Sequence, residues 1–176
     1  MKRILFAVGL AVVWAVPSFG AERRMTFMEY NIFQCWGWEP PANSKTLAKG
    51  ELGALPRIAE IIRGQKPDWV ALCEVARNYH RAGFVDQPAE LAKRCGLQAT
   101  YFSGAGTDDR WGNAILSRER PLSARALPLA STDSPRSAIV AEFGEYYVMA
   151  THFPLKEETR LKSAEIVCAE AQKLMA

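Results

Sequence analysis

The sequence is poor in several features that would each point to a particular kind of protein. Histidine occurs only as His80 and His152. The four cysteines, Cys35, Cys73, Cys95 and Cys168, stand too far apart for a zinc site built on paired cysteines. Neither sign of charge dominates: 22 lysines and arginines face 19 acidic residues, and two of the basic ones, Lys2 and Arg3, fall in the first 20 positions, where no acidic residue stands. Past those positions the charges are almost even, so composition gives no case for a protein that grips a polynucleotide mainly by charge. Beyond Val16 no apolar run approaches the roughly 20 residues that a membrane-crossing helix needs. There is no internal repeat, low-complexity tract or linker, and the chain reads as one domain.

What is present begins at the N-terminus. Lys2 and Arg3 precede an apolar run from Ile4 to Val16 and then Pro-Ser-Phe-Gly-Ala, the layout of a secretory signal peptide. Ser18 and Gly20 place the expected cut after Gly20, making residues 1–20 an address and 21–176 a domain that is secreted or periplasmic. Export permits disulfides without assigning them; Cys73, in an apolar strand-like run, and Cys168, on a helix face, read as buried free thiols.

Periodicity supplies the elements. Met25 to Ile32 reads as a strand, followed by a loop with Phe33, Trp36, Trp38, Pro40 and Pro41. Leu55, Ile58, Ile61 and Ile62 recur on one helical face, with Pro56 in the first turn and Gly64 and Pro67 at the end. Trp69 to Val75 is an apolar run broken only by Glu74, the pattern of a strand buried on both faces. Residues 87–95 predict a short helix closed by Gly96, and Ala99 to Ser103 a strand. Four strands follow over 112–117, 122–127, 138–143 and 146–153, with Gly144-Glu145 as a hairpin turn. Glu157 to Ala176 predicts an amphipathic helix whose inward stripe is Leu161, Ala164, Cys168, Ala171 and Met175. The order indicates a layered α/β domain.

The polar residues that interrupt or end apolar strands are Asn31, Glu74, Asn113 and His152, and strand ends are where sheet proteins commonly place their sites. Glu74 is a candidate carboxylate for a hard divalent cation, which takes one or two carboxylates together with water and phosphate oxygens. Asn31 could add an amide oxygen, His152 a hydrogen bond to a phosphoryl oxygen, and Arg136 a planar fork suited to phosphate. Singly each has a bland reading, as turn former, solvated charge or surface residue.

Their context changes that weighting. Met-Glu-Tyr-Asn-Ile (28 to 32), Pro-Asp-Trp-Val-Ala-Leu-Cys-Glu-Val (67 to 75), Gly-Asn-Ala-Ile-Leu-Ser-Arg (112 to 118) and Ala-Thr-His-Phe (150 to 153) stand in the order of the endonuclease/exonuclease/phosphatase superfamily, which the chain resembles over nearly all of residues 21–176. The resemblance implies a two-sheet sandwich flanked by helices and a metal-dependent phosphoester hydrolase, using Mg2+ or else Mn2+ or Ca2+. It implies Glu74 as metal ligand with Asn31 beside it, and His152 and, more loosely, Arg136 as phosphate contacts, as in the deoxyribonuclease and bacterial sphingomyelinase branches. Asn113 falls with Arg136 on the substrate-phosphate side, ranked below the others because it would chiefly order its strand and neighbours.

Members of the superfamily continue past the helix matching Glu157 to Ala176 into an Asp-x-Asn strand and a terminal Asp-His pair. Neither is found here, and Asp133 lacks the position and strand context to substitute. The expectation is an N-terminal portion that lacks its water-activating groups, with one sheet supplied by each half of the whole domain, so that one apolar sheet face stands bare. The substrate class spans nucleic acid, phospholipid and small phosphoesters. Arg110, Arg118, Arg120 and Arg125 would serve a nuclease, and Phe33, Trp36 and Trp38 a lipid interface. The alternative is a non-catalytic exported binding module that keeps the fold.

Overall fold

The computed structural model describes residues 3–7, 24–37, 46–103, 110–132 and 134–176. In chain order the elements are β1 (Arg3–Ala7), β2 (Phe27–Asn31), a short 3-10 turn (Phe33–Cys35), α1 (Leu55–Gln65), β3 (Trp69–Ala76), α2 (Gln87–Cys95), β4 (Gln98–Ser103), β5 (Trp111–Ser117), β6 (Ser123–Leu129), β7 (Arg136–Phe143), β8 (Tyr146–Thr151) and α3 (Glu157–Met175). One sheet has the order β2-β3-β5-β4 and the other β1-β8-β7-β6.

The strand alternation accounts for the layers. In β3, Val70 and Leu72 turn toward α1 and α2 and pack with Leu55, Ile58, Ile62 and Leu91. Trp69 and Ala71 turn the other way and meet Ile139, Phe143, Tyr146 and Val148 of the second sheet. The outer face of that sheet, through Ala138, Val140 and Met149, takes Val167 and Ala171 of α3. Two sheets lie between two helical layers, the sandwich expected from the sequence.

One expectation about this sandwich is overturned. Both sheets are built within these residues, because the hairpins β6-β7 and β7-β8 form a sheet of their own facing β3 and β5. The second face is therefore covered by this chain and not bare.

Local signals explain the helix ends. Pro56 occupies the first turn of α1, and Lys66, left-handed at φ 49°, closes it. The Asp86 side chain accepts from the Ala89 amide at 3.1 Å to cap α2, and Gly96 at φ 67° ends it.

α3 corrects a second expectation. Its buried residues are Thr159, Ser163, Val167 and Ala171, while Leu161, Cys168 and Met175 are exposed. Small side chains let the helix approach the sheet, and Ser163 Oγ donates to the Ala130 carbonyl at 2.9 Å. Cys168 is accordingly an exposed thiol, whereas Cys73 is buried as expected.

Among the described residues no helix is long and apolar enough to cross a membrane. Of the leader-like segment, Arg3–Ala7 forms β1, parallel to β8 from Tyr146 to Ala150, while the expected cut after Gly20 lies outside the described residues. Removal of residues 1–20 would open the β8 edge, a row of unpaired backbone donors and acceptors. The shortened chain is expected to self-associate more strongly than the chain that retains them. Equal sedimentation behaviour of the two at matched concentration would contradict this.

Candidate functional site

The register brings the chemistry to one end of the sandwich. Asn31 ends β2 opposite Cys73, Trp111 enters β5 opposite Ala76, Arg136 begins β7, and His152 follows β8. Parallel and antiparallel strands thus deliver residues from separate parts of the chain to a single edge.

Glu74 reaches that edge through a β-bulge. The β3-β5 pairing shifts register between Leu72 and Val75, and Glu74 has φ 53°. The bulge lets Val75 take the helix-facing side with Val70 and Leu72 and ejects Glu74 from the ladder. A non-glycine residue held there costs of order 1–3 kcal/mol, a strain that packing on both sides must offset.

His152, Arg136 and Glu74 converge. Arg136 Nη1 lies 3.0 Å from His152 Nδ1, and His152 Nδ1 lies 3.9 Å from Glu74 Oε1. A guanidinium only donates, so Nδ1 is the acceptor and the ring proton of the neutral imidazole sits on Nε2. The Glu74 contact is too long for a hydrogen bond and is not an ion pair with a neutral ring. Burial, and then the Arg136 charge, hold the His152 pKa below its ordinary 6.5, against an opposing effect of Glu74. His152 Nε2–H is consequently a neutral donor.

Arg136 is 9% exposed, lies 5.7 Å over the Trp111 ring, and its Nε has no hydrogen-bond partner among the described residues. An orphaned buried donor on a cation at the end of a sheet suits an anionic oxygen.

The remaining candidates are placed differently. Asn31 Oδ1 accepts from the Phe33 amide at 3.0 Å, which fixes the side chain and leaves one lone pair of that oxygen. Asn113 is buried, and its Nδ2 donates to the Ser137 carbonyl at 2.9 Å, tying β5 to β7 next to Arg136. Thr151 Oγ1 donates to the same carbonyl at 3.3 Å, and Cys73 Sγ to the Thr151 carbonyl at 3.6 Å. The Asn113 and Cys73 bonds cross between the sheets, and with the Thr151 bond inside the second sheet they set the spacing across which Glu74 meets His152. The Cys73 thiol is pushed up to about 12 by burial and by the charges of Glu29 and Glu74, so it ties and does not react.

Of the arginines considered for a nuclease, Arg118 pairs with Asp68 at 3.0 Å and Arg125 with Glu170. Arg118 also borders a cavity of about 110 Å³ with Asp68, Trp69 and Glu119, at the opposite end of β3 from Glu74. Trp36 is buried and contacts Phe33 edge-on at 5.3 Å, the packing role that its composition allows, while Trp38, Pro40 and Pro41 lie outside the described residues, as does Asp133.

Sequence reasoning passed over Glu29. It shares with Phe27 and Asn31 the β2 face turned to the second sheet, and burial raises its pKa above the ordinary 4.5. An acid whose folded pKa is raised lowers stability once pH climbs through that value. Glu29→Gln is therefore expected to melt higher than the unaltered chain at pH 7 and equally at pH 4; a lower melting temperature at pH 7 would give Glu29 a supporting role instead.

A metal fits this site only loosely. Glu74 supplies one carboxylate and Asn31 one amide oxygen, enough for a largely hydrated magnesium-like ion. Among the described residues no three His, Cys, Asp or Glu side chains converge as a metal cluster.

No family model matches the sequence, and no curated protein matches it significantly. Solved structures do match. An endonuclease/exonuclease/phosphatase protein from Beutenbergia cavernae is 22% identical with a TM-score of 0.56 over 82% of this chain and 43% of its own. The mannosyl-6-phosphatase of Bacteroides thetaiotaomicron is 16% identical with a TM-score of 0.63 over 86% of this chain and 60% of its own. TDP2 from C. elegans is 15% identical with a TM-score of 0.58 over 86% and 42%. The fold is that of the endonuclease/exonuclease/phosphatase proteins, and the chain spans about half the length of these structures.

Proposed function

We propose that the protein to which this chain belongs is an exported, metal-dependent phosphoester hydrolase, in which water attacks phosphorus in line with the leaving group. The observation that carries the proposal is the Glu74, His152, Arg136 group: an ejected carboxylate, a neutral imidazole donor and a buried guanidinium with an orphaned Nε, on one strand edge. The fold shared with a sugar-phosphate phosphatase supports it at the level of reaction class.

Each side chain has a part that follows from its geometry. Glu74 and Asn31 would hold a Mg2+ ion, with Mn2+ or Ca2+ as substitutes. Bound there, the cation would neutralise charge on a phosphoryl oxygen. Arg136 Nε and Nη groups would take the non-bridging oxygens by charge-assisted hydrogen bonds. His152 Nε2–H would add a donor aimed at charge that grows in the transition state, a kind of contact worth about 10²–10³ in rate. Asn113 acts behind them by holding β7 against β5. The group that activates water belongs, on this proposal, to sequence beyond residue 176.

The test is hydrolysis of a chromogenic phosphodiester and of its monoester by the longer protein, with Mg2+ and with chelator. Activity supported by Mg2+ and abolished by chelator is expected. Hydrolysis indifferent to chelator, or none of either ester, would overturn the reading.

A further inference from the structure

The two segments that carry the cation-holding pair are both held in unfavourable backbone. Directly after Asn31-Ile32, Phe33, Gln34 and Cys35 stand at φ 47°, 51° and 59°, and Glu74 stands at 53°. Local backbone bonds secure part of this: Cys35 donates to the Ile32 carbonyl at 2.8 Å and accepts from Ala54 at 2.7 Å. Between the segments, Ile32 donates to the Cys73 carbonyl at 3.1 Å where the β2-β3 pairing ends, but among the described residues no backbone bond crosses the distance from the 33–35 turn to residues 74–76.

Gln87, in the first turn of α2, spans that distance. It is 1% exposed, its Oε1 accepts from the Ala76 amide at 2.8 Å, and its Nε2 donates to the Gln34 carbonyl at 2.6 Å. Ala76 lies two residues past Glu74 and Gln34 three past Asn31. A planar primary amide offers one acceptor and donors at a fixed separation, so it can bridge an N–H of one segment to a C=O of another. The base of the bridge is anchored as well, since Arg77 and Asp86 pair as an isolated β-bridge and Asn78 donates to Val85 at 3.2 Å.

We propose that Gln87 is a positioning residue that, past the end of the β2-β3 ladder, fixes the 33–35 turn against the β3 bulge, so refining the spacing of the Asn31 amide and the Glu74 carboxylate and thereby the affinity of the site for a divalent cation. This rests on the reading of Asn31 and Glu74 as the cation-holding pair. Gln87 touches neither the cation nor the substrate; it acts through the 33–35 turn and the β3 bulge. Supporting partners of this kind typically alter metal affinity by about 10–100-fold when removed.

The experiment is a Mn2+ titration of the 176-residue chain, followed by paramagnetic broadening of its backbone amide resonances, with Gln87→Met, Gln87→Asn and Glu74→Ala in parallel. Met matches the side chain in length without its hydrogen bonds. Asn keeps the neutral amide but falls one methylene short of bridging.

In the unaltered chain, broadening is expected first at Asn31, Glu74 and His152, and in Glu74→Ala not at all. Gln87→Met and Gln87→Asn are expected to retain the dispersed amide spectrum of the sheets and to need about tenfold more Mn2+. If Met prevents folding, Asn carries the comparison alone. A titration within twofold of the unaltered chain in a folded Gln87 variant would overturn the proposal while leaving the cation pair intact. Absence of local broadening in the unaltered chain, or its persistence in Glu74→Ala, would overturn the cation pair itself and this proposal with it.

Discussion

Glu74→Gly is expected to cost the proposed hydrolase about 10²–10³ in Mg2+-supported phosphodiester hydrolysis while melting at the same or a higher temperature. The two effects have separate origins. Among the described residues, Glu74 is the carboxylate that meets His152 at the end of β3, so its loss removes the anionic ligand of the proposed cation. The backbone at φ 53° is strained for glutamate but natural for glycine, so the same change relieves strain in the bulge. Glycine also widens the unfolded ensemble, which returns part of that gain. Glu74→Ala separates the two, since it loses the carboxylate and keeps the strain. Turnover and thermal melting of the three proteins decide the matter, and a Glu74→Gly protein that is fully active would refute the assignment of this carboxylate.

Arg136→Ala should have an effect of similar size on kcat/KM, about 10²–10³, with a second signature on His152. The guanidinium lowers the His152 pKa by charge and holds Nδ1 as an acceptor. Removing it leaves burial lowering the pKa and Glu74 raising it, so the value should rise. The sign for stability follows: a base with a depressed folded pKa contributes stability that is present above its unfolded value of 6.5 and lost as pH falls through the folded one. Arg136→Ala should therefore flatten the loss of stability between pH 7 and 5. Imidazole proton shifts across that range, together with melts at each end, provide the measurement. Arg136→Lys is expected to keep the His152 pKa low but not the activity, because an ammonium retains the charge and loses the planar fork over Trp111. An unchanged His152 pKa in Arg136→Ala would mean that burial alone sets it.

Much of this was legible along the chain because it depended on local rules. The helix Gln87–Cys95 is bracketed by its cap at Asp86 and its left-handed Gly96, and the strand Trp69–Ala76 by an apolar run too long to face water. Asn31, Glu74 and His152 stood out as polar residues at the ends or breaks of such runs. α3 escaped the same rules. Hydrophobic periodicity favoured Leu161 and Met175 as its inward stripe, but the distance of closest approach to the sheet selected Thr159, Ser163, Val167 and Ala171. Hydropathy carries no information about that distance.

The sequence by itself determined the order of the elements from β2 to α3, a layered α/β arrangement, and which residue types would be available at the strand ends, while β1 was not legible in a segment with the layout of a signal. The tertiary structure alone decided that Glu74 leaves the β3 ladder in a bulge, that Arg136 rather than Glu74 dictates the tautomer of His152, and that Gln87 ties two strained segments together. The first set follows from contacts a few residues apart. The second rests on contacts between residues such as Gln34 and Gln87, or Arg136 and His152, 53 and 16 positions apart, whose geometry exists only once the sheets have packed.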